Sequence, residues 1–150
     1  MEIIKLLEDT KHKTLEHFEL SESDLRTTYG EGKWNIHQIL VHLADAESVL
    51  YERIRRIIAE PRQVLWNFDQ DAWAENLNYK AYPLALSKNL FTAVRDNMIY
   101  LATQHYEKLG TKEFVHSDTG VRTLKEEFDK VASHNQHHLR HIEAALKKAQ

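Results

Sequence analysis

The chain has 150 residues, 42% of them hydrophobic and 29% charged, with four glycines, two prolines and no cysteine. A formal net charge of -3 and scattered basic residues leave no electrostatic case for nucleic acid or an anionic membrane as partner. The lack of cysteine excludes disulfides, thiolate-held zinc and a thiol nucleophile.

The length suits one domain, residues 1–150, with a proper core, and the scarcity of glycine and proline leans towards helix. Met1 to Leu20 alternates charged and apolar residues and lacks the apolar block of a signal peptide. No stretch approaches the length that spans a bilayer. A cytoplasmic protein is the default expectation.

In chain order, the first helical segment runs from about Glu2 to Glu19, with Ile4, Leu7, Lys11, Leu15 and Phe18 along one stripe. Ser21 to Asp24 resembles a capping box and starts a short turn before Gly30. The second segment runs from about Asn35 to Glu60, with Asn35 and Gln38 as cap. Its inward face carries Ile36, Ile39, Leu40, Leu43, Leu50, Ile54 and Ile57, and Pro61 stops it. The connection from Arg62 to Tyr82 is long for a bundle loop. It carries Trp66, Phe68, Trp73 and Tyr79, so it is expected to pack over one end of the bundle.

A third helix begins at Pro83 and continues through Leu86, Leu90, Val94 and Leu101 to Gly110. The fourth opens at Thr123 to Glu126, another capping box, and continues through Phe128, Val131, His138, Leu139, Ile142 and Leu146. No segment shows sustained strand alternation, and Gly110 to Gly120 leaves room for a short extended excursion only. The pattern predicts an all-α fold: a four-helix bundle with a long aromatic-containing connection between its second and third helices.

Ten histidines are present, four of them in His134-Asn-Gln-His137-His138-Leu-Arg-His141. Residues four apart share a helix face. At about 100° per residue, His138 falls roughly 50° from the centre of the apolar arc and His134 roughly 90°. The wheel therefore turns His134 and His138 inward and leaves His137 and His141 at the surface. Such a pair binds a divalent metal if a third donor arrives from elsewhere. His42, in Leu40-Val-His42-Leu-Ala-Asp45-Ala-Glu47, sits at the flank of the second helix's apolar face, and the wheel alone does not single it out.

The ordered set Lys33-Trp34-Asn35-Ile36, His42-Leu-Ala-Asp45-Ala-Glu47, Phe68-Asp69-Gln70-Asp71-Ala72-Trp73-Ala74, Gly120-Val-Arg-Thr123-Leu124 and His134-Asn-Gln-His137-His138 resembles the DinB-like, YfiT-like family of metal-binding four-helix bundles. The resemblance implies a metal held by His42, His134 and His138. Three neutral imidazoles would leave an open position for water or substrate, able to acidify one or polarise the other. Nitrogen donors suit zinc or nickel, with iron, cobalt or manganese as alternatives. Asp45 is a candidate to orient a ligand ring or else an exposed acid; Glu47 is a surface acid or a further candidate near the site; and His116 is expected on a surface loop, close enough to the same end of the bundle to be a candidate as well. Asp69, Asp71 and Trp73 are expected to cap and pack a turn.

Activities of similar proteins imply a metal-dependent enzyme acting on a small-molecule substrate: a hydrolase, or a transferase using an external low-molecular-weight thiol. The competing expectation is a non-catalytic, stress-associated module in which the metal braces the bundle. A di-iron carboxylate bundle needs paired Glu-x-x-His motifs, and Glu113-Phe-Val-His116 has no mate. A homodimer is expected from the amphipathic faces, with no interface identifiable.

Overall fold

The described residues of the computed structural model, 1–60 and 63–149, form α1 (Glu2–His17), α2 (Glu22–Leu25), α3 (Ile36–Ala59), β1 (Val64–Leu65), α4 (Gln70–Asn76), α5 (Leu84–His105), β2 (Glu113–His116), β3 (Gly120–Thr123) and α6 (Leu124–Ala149). The helix starts follow from side chains that satisfy free backbone N–H groups. Ser21 Oγ accepts from the Asp24 amide ahead of α2. Asn35 and Gln38 close a full capping box on α3, each side chain accepting from the other's backbone N–H. Thr123 and Glu126 do the same for α6, with bonds of 2.7 Å and 3.3 Å. Pro61, expected to stop the second helix, lies outside the described residues.

Helices α1, α3, α5 and α6 make the four-helix bundle, with α1 and α3 each packed between α5 and α6. The seven apolar positions assigned to the second helix are all buried, none more than 3% exposed. Burying each such side chain contributes about 1.5–3 kcal/mol before entropic costs. Among the described residues, no helix is long and apolar enough to cross a membrane.

Two helices turn differently from the expected stripes. On α1 the buried line is Ile3, Leu7, Thr10 and Thr14, while Ile4, Lys11 and Leu15 are half-buried flanks. On α5 the buried line is Ser87, Phe91, Val94, Arg95, Met98 and Ala102, and Leu86 and Leu90 are 57% and 41% exposed. The cause is a polar seam inside the bundle. Arg95 is fully buried and donates to Leu7 O at 2.9 Å, to Thr10 Oγ1 at 2.8 Å and to Glu47 through two nitrogens. With the Arg95 guanidinium paired to Glu47 inside, the polar Thr10, Thr14 and Ser87 also take inward positions among the apolar ones.

A small three-stranded sheet, order β1-β2-β3, exceeds the short excursion expected between Gly110 and Gly120. β2 and β3 pair antiparallel from Glu113↔Thr123 to His116↔Gly120, and β1 joins β2 in parallel. Gly120 has φ +76° at the end of the hairpin turn, a conformation that favours glycine. Each strand has four residues or fewer, too few for alternation to register.

The aromatic connection is ordered through α4, whose N-terminus is capped by Asp69 accepting from the Asp71 and Ala72 amides at 3.1 and 3.0 Å. Its aromatics divide. Tyr79 is fully buried, Phe68 and Trp73 meet with ring centroids 5.0 Å apart, and Trp66 is 77% exposed.

Candidate metal centre

Because α3 packs directly against α6, a residue on the flank of one can face the seam of the other. His42 from α3 meets His134 and His138 from α6 there. Ring centroids lie 5.1 Å apart for His42–His134, 4.7 Å for His42–His138 and 4.6 Å for His134–His138. One nitrogen from each ring can be chosen so that all three lie within 4.8 Å of one another. His42 is fully buried and His138 nearly so, while His134 is partly open.

Burial governs the electrostatics. It is the first cause holding His42 to a pKa of about 3, with the His134 charge adding to it. The His134 value falls to about 4, again by burial and then by Lys130, His137 and Arg95. His138 falls to about 2, by burial and then by its four histidine neighbours. All three are neutral imidazoles with lone pairs at physiological pH, the form that binds a metal.

The donor set fits a divalent cation. His42 Nε2 and His134 Nε2 are 3.1 Å apart; two nitrogens bound at 2.0–2.1 Å to one tetrahedral ion lie about 3.3 Å apart. An imidazole N–H···N bond has a similar length, so this spacing alone does not require an ion. His42 Nδ1 and His138 Nδ1 are also buried with no hydrogen-bond partner among the described residues, so the chain does not satisfy every nitrogen of these rings. A group of rings held together by hydrogen bonds would use those atoms, because a buried unpaired polar atom costs about 1–3 kcal/mol.

Packing, more than a carboxylate, orients the His42 ring. Trp34 lies 5.0 Å and Phe68 6.2 Å from it, centroid to centroid. Asp45 takes no part in this. Its carboxylate accepts from Tyr79 Oη at 2.6 Å, facing the α4 side of the helix. Burial raises the Asp45 pKa, and the Tyr79 bond opposes that rise. Glu47 is buried against Arg95 and is no surface acid. His116 is also buried, 4% exposed on β2, where a surface-loop position was expected, and it does not join the three-ring group. His137 is exposed as expected, whereas His141 is half-buried and stacked on Tyr29 at 4.1 Å.

A cavity of about 600 Å³ opens onto His134 and His138. Tyr29, Lys33, Trp34, Gln70, Asp71 and His141 also line it, so the segment before α3 and the start of α4 wall the approach to the rings. Phe68 and Trp34 are the positioning residues that wheel reasoning missed, since they lie outside the long helices. Both stand in the motifs that carry the family resemblance, and Phe68 also belongs to the aromatic-rich connection.

The DinB superfamily pattern matches residues 6–142. The chain belongs to the DinB superfamily. Within it, the chain is 29% identical over 127 residues to a Putative metal-dependent hydrolase of Oceanobacillus iheyensis, covering 85% of this chain and 73% of that protein. The Putative metal-dependent hydrolase YfiT of Bacillus subtilis is 27% identical over 141 residues, 93% of this chain and 79% of YfiT. The solved structure of YfiT, described as a probable metal-dependent hydrolase with an unusual four-helix bundle topology, superposes with a TM-score of 0.89. It is 25% identical, with 99% of this chain and 86% of that one covered. This DinB-superfamily chain thus shares the fold as well as the sequence pattern of those relatives.

Proposed function

We propose that the protein is a metal-dependent hydrolase of a small-molecule substrate, with His42, His134 and His138 holding one divalent cation. The observation that carries the reading is the convergence of three neutral imidazoles, two of them buried, each offering one nitrogen within 4.8 Å of the others. The names of the relatives support the reaction class. A divalent cation held there supplies Lewis-acid chemistry, acidifying water and polarising a carbonyl or phosphoryl oxygen.

The chain's own residues do the rest. α3 and α6 fix the direction of the three lone pairs, and Trp34 and Phe68 hold the His42 ring and keep water from its flank. The cavity beside His134 and His138 admits a substrate from one side. Imidazole donors favour zinc or nickel, with cobalt, iron and manganese less suited.

Metal analysis of the purified full chain tests the site first. One ion per chain is expected in the wild type and none in His138→Ala; equal content in both removes the assignment. Loaded protein is then assayed on ester, amide and phosphoester panels, with and without an added low-molecular-weight thiol. Hydrolysis without thiol supports the reading. Turnover that requires the thiol converts it to thiol transfer. Metal-loaded protein that only melts higher converts it to a bracing role.

A further inference from the structure

One turn along α6 from the histidines lies a second cavity, of about 440 Å³, lined by residues of the β2–β3 hairpin and the start of α6. Its acids are already engaged. Glu126 accepts from Arg122 and from the Thr123 amide and hydroxyl. Glu127 faces Arg53 at 3.4 Å, and Asp129 accepts from Tyr106 Oη at 2.7 Å. The donors are less well matched.

His116 is the decisive residue. The Asp118 backbone N–H donates to its Nδ1 at 3.2 Å, so Nδ1 carries the lone pair. A neutral ring then has its proton on Nε2. That N–H is buried with no acceptor among the described residues. Lys130 lines the same cavity as His116, so a second donor faces it; burial lowers the His116 pKa, and the Lys130 charge adds to that effect. Lys130 has no acid within ion-pair distance among the described residues. Two lining donors without an acceptor, His116 Nε2 and Lys130, suit the cavity to an oxyanion.

We infer that the cavity between His116 and Lys130 binds a small oxyanion, a carboxylate or phosphate, and serves as the anionic subsite of the substrate handled at the histidines. Lys130 and His134 are four residues apart on α6, a spacing of about 6 Å along the helix axis. A substrate gripped here by its anionic group places the next few atoms of its skeleton at the three rings. As a substrate subsite the proposal rests on the hydrolase reading; as an anion site it stands alone.

The test titrates inorganic phosphate, and separately acetate, into the chelator-treated full chain, where no ion at the histidines can take the anion. Binding is followed by the NMR shift of the Asp118 amide. The wild type is expected to bind saturably. Lys130→Gln, at an exposed position, and His116→Asn, which keeps an acceptor for the Asp118 amide but deletes the Nε2 donor, should each weaken binding about tenfold or more. His134→Ala should bind the anion unchanged while losing metal. Tighter phosphate makes the group a phosphoryl, and tighter acetate makes it a carboxylate. Absence of saturable binding, or wild-type affinity in both Lys130→Gln and His116→Asn, overturns the proposal. So does a loss confined to His134→Ala, which moves the anion to the histidines. A wild type that holds no metal yet binds anion normally would sink the hydrolase reading and leave the anion site in place.

Discussion

Two buried polar clusters lie side by side in this bundle, and they differ in how their polar atoms are used. Around Arg95, each guanidinium nitrogen has a protein partner in Glu47, Leu7 O or Thr10 Oγ1. Around His42, His134 and His138, two ring nitrogens face one another at 3.1 Å and two more are buried with no partner. Both clusters are desolvated by the same helices. A matched cluster carries structure, whereas an unmatched one keeps nitrogens free to take a ligand.

The largest effect should come from breaking the matched cluster. Arg95→Met leaves Glu47 buried without its counter-charge and should cost about 3–5 kcal/mol in urea unfolding. Replacing both partners with apolar residues, Arg95→Met with Glu47→Leu, should recover most of that, because no charge is then stranded. A single substitution costing under about 1 kcal/mol would erase the distinction between the clusters.

Acid should act on the unmatched cluster almost as strongly. Folded pKa values near 3, 4 and 2 lie below the unfolded value of about 6.5. Below pH 6.5 the unfolded chain therefore binds more protons than the folded one, and stability falls as pH falls towards the folded values. At pH 5.5 the loss is about 1.4 kcal/mol per histidine, or about 4 kcal/mol for the three. Urea unfolding of chelator-treated protein at pH 7.5 and 5.5 measures it. His42→Phe should flatten the slope by about one third of that amount. Metal affinity of the folded protein should stay level from pH 8 to about 5.5, since no proton competes for the rings there.

Loading should contribute somewhat less. A metal at one hundred times its Kd stabilises the folded state by about 2.7 kcal/mol. The corresponding rise in Tm should appear in wild type and vanish in His134→Ala and His138→Ala. Arg95→Met should keep the increment on a lower baseline. A variant that loses both at once would show the two clusters to be one.

The sequence made much of this legible, and unevenly. The apolar positions of α3 could be read one by one because seven of them, from Ile36 to Ile57, keep an unbroken helical stripe beside the buried Gln38, His42, Glu47 and Arg53. The helix starts were readable at Asn35 and Thr123, where capping is local chemistry. α1 and α5 were misread because Thr10, Thr14, Ser87 and Arg95 occupy inward positions, so the hydrophobic stripe no longer marks the buried face. His134 and His138 could be picked from helical spacing. His42 needed a resemblance, since its partner helix is ninety-two residues away. The burial of Glu47 and His116 depends on Arg95 and the hairpin, and neither pairing leaves a trace in local spacing.

The smallest effect sharpens the boundary of the histidine centre. Asp45 lies three residues after His42, where an acid could steady a ligand ring, yet its carboxylate takes the Tyr79 hydroxyl at 2.6 Å. Tyr79→Phe removes that bond and leaves a half-buried carboxylate with one donor fewer, at a cost of about 1 kcal/mol. The Asp45 pKa should rise further, because burial already raises it and the Tyr79 bond is what opposes that rise. If Asp45 only ties α3 to the segment after α4, metal content and affinity will match the wild type despite the lower Tm. If affinity falls tenfold or more, the freed carboxylate has reached the His42 ring and competes for it. The two outcomes separate a strut from a ligand support, and the observed hydrogen bond places Asp45 with the struts.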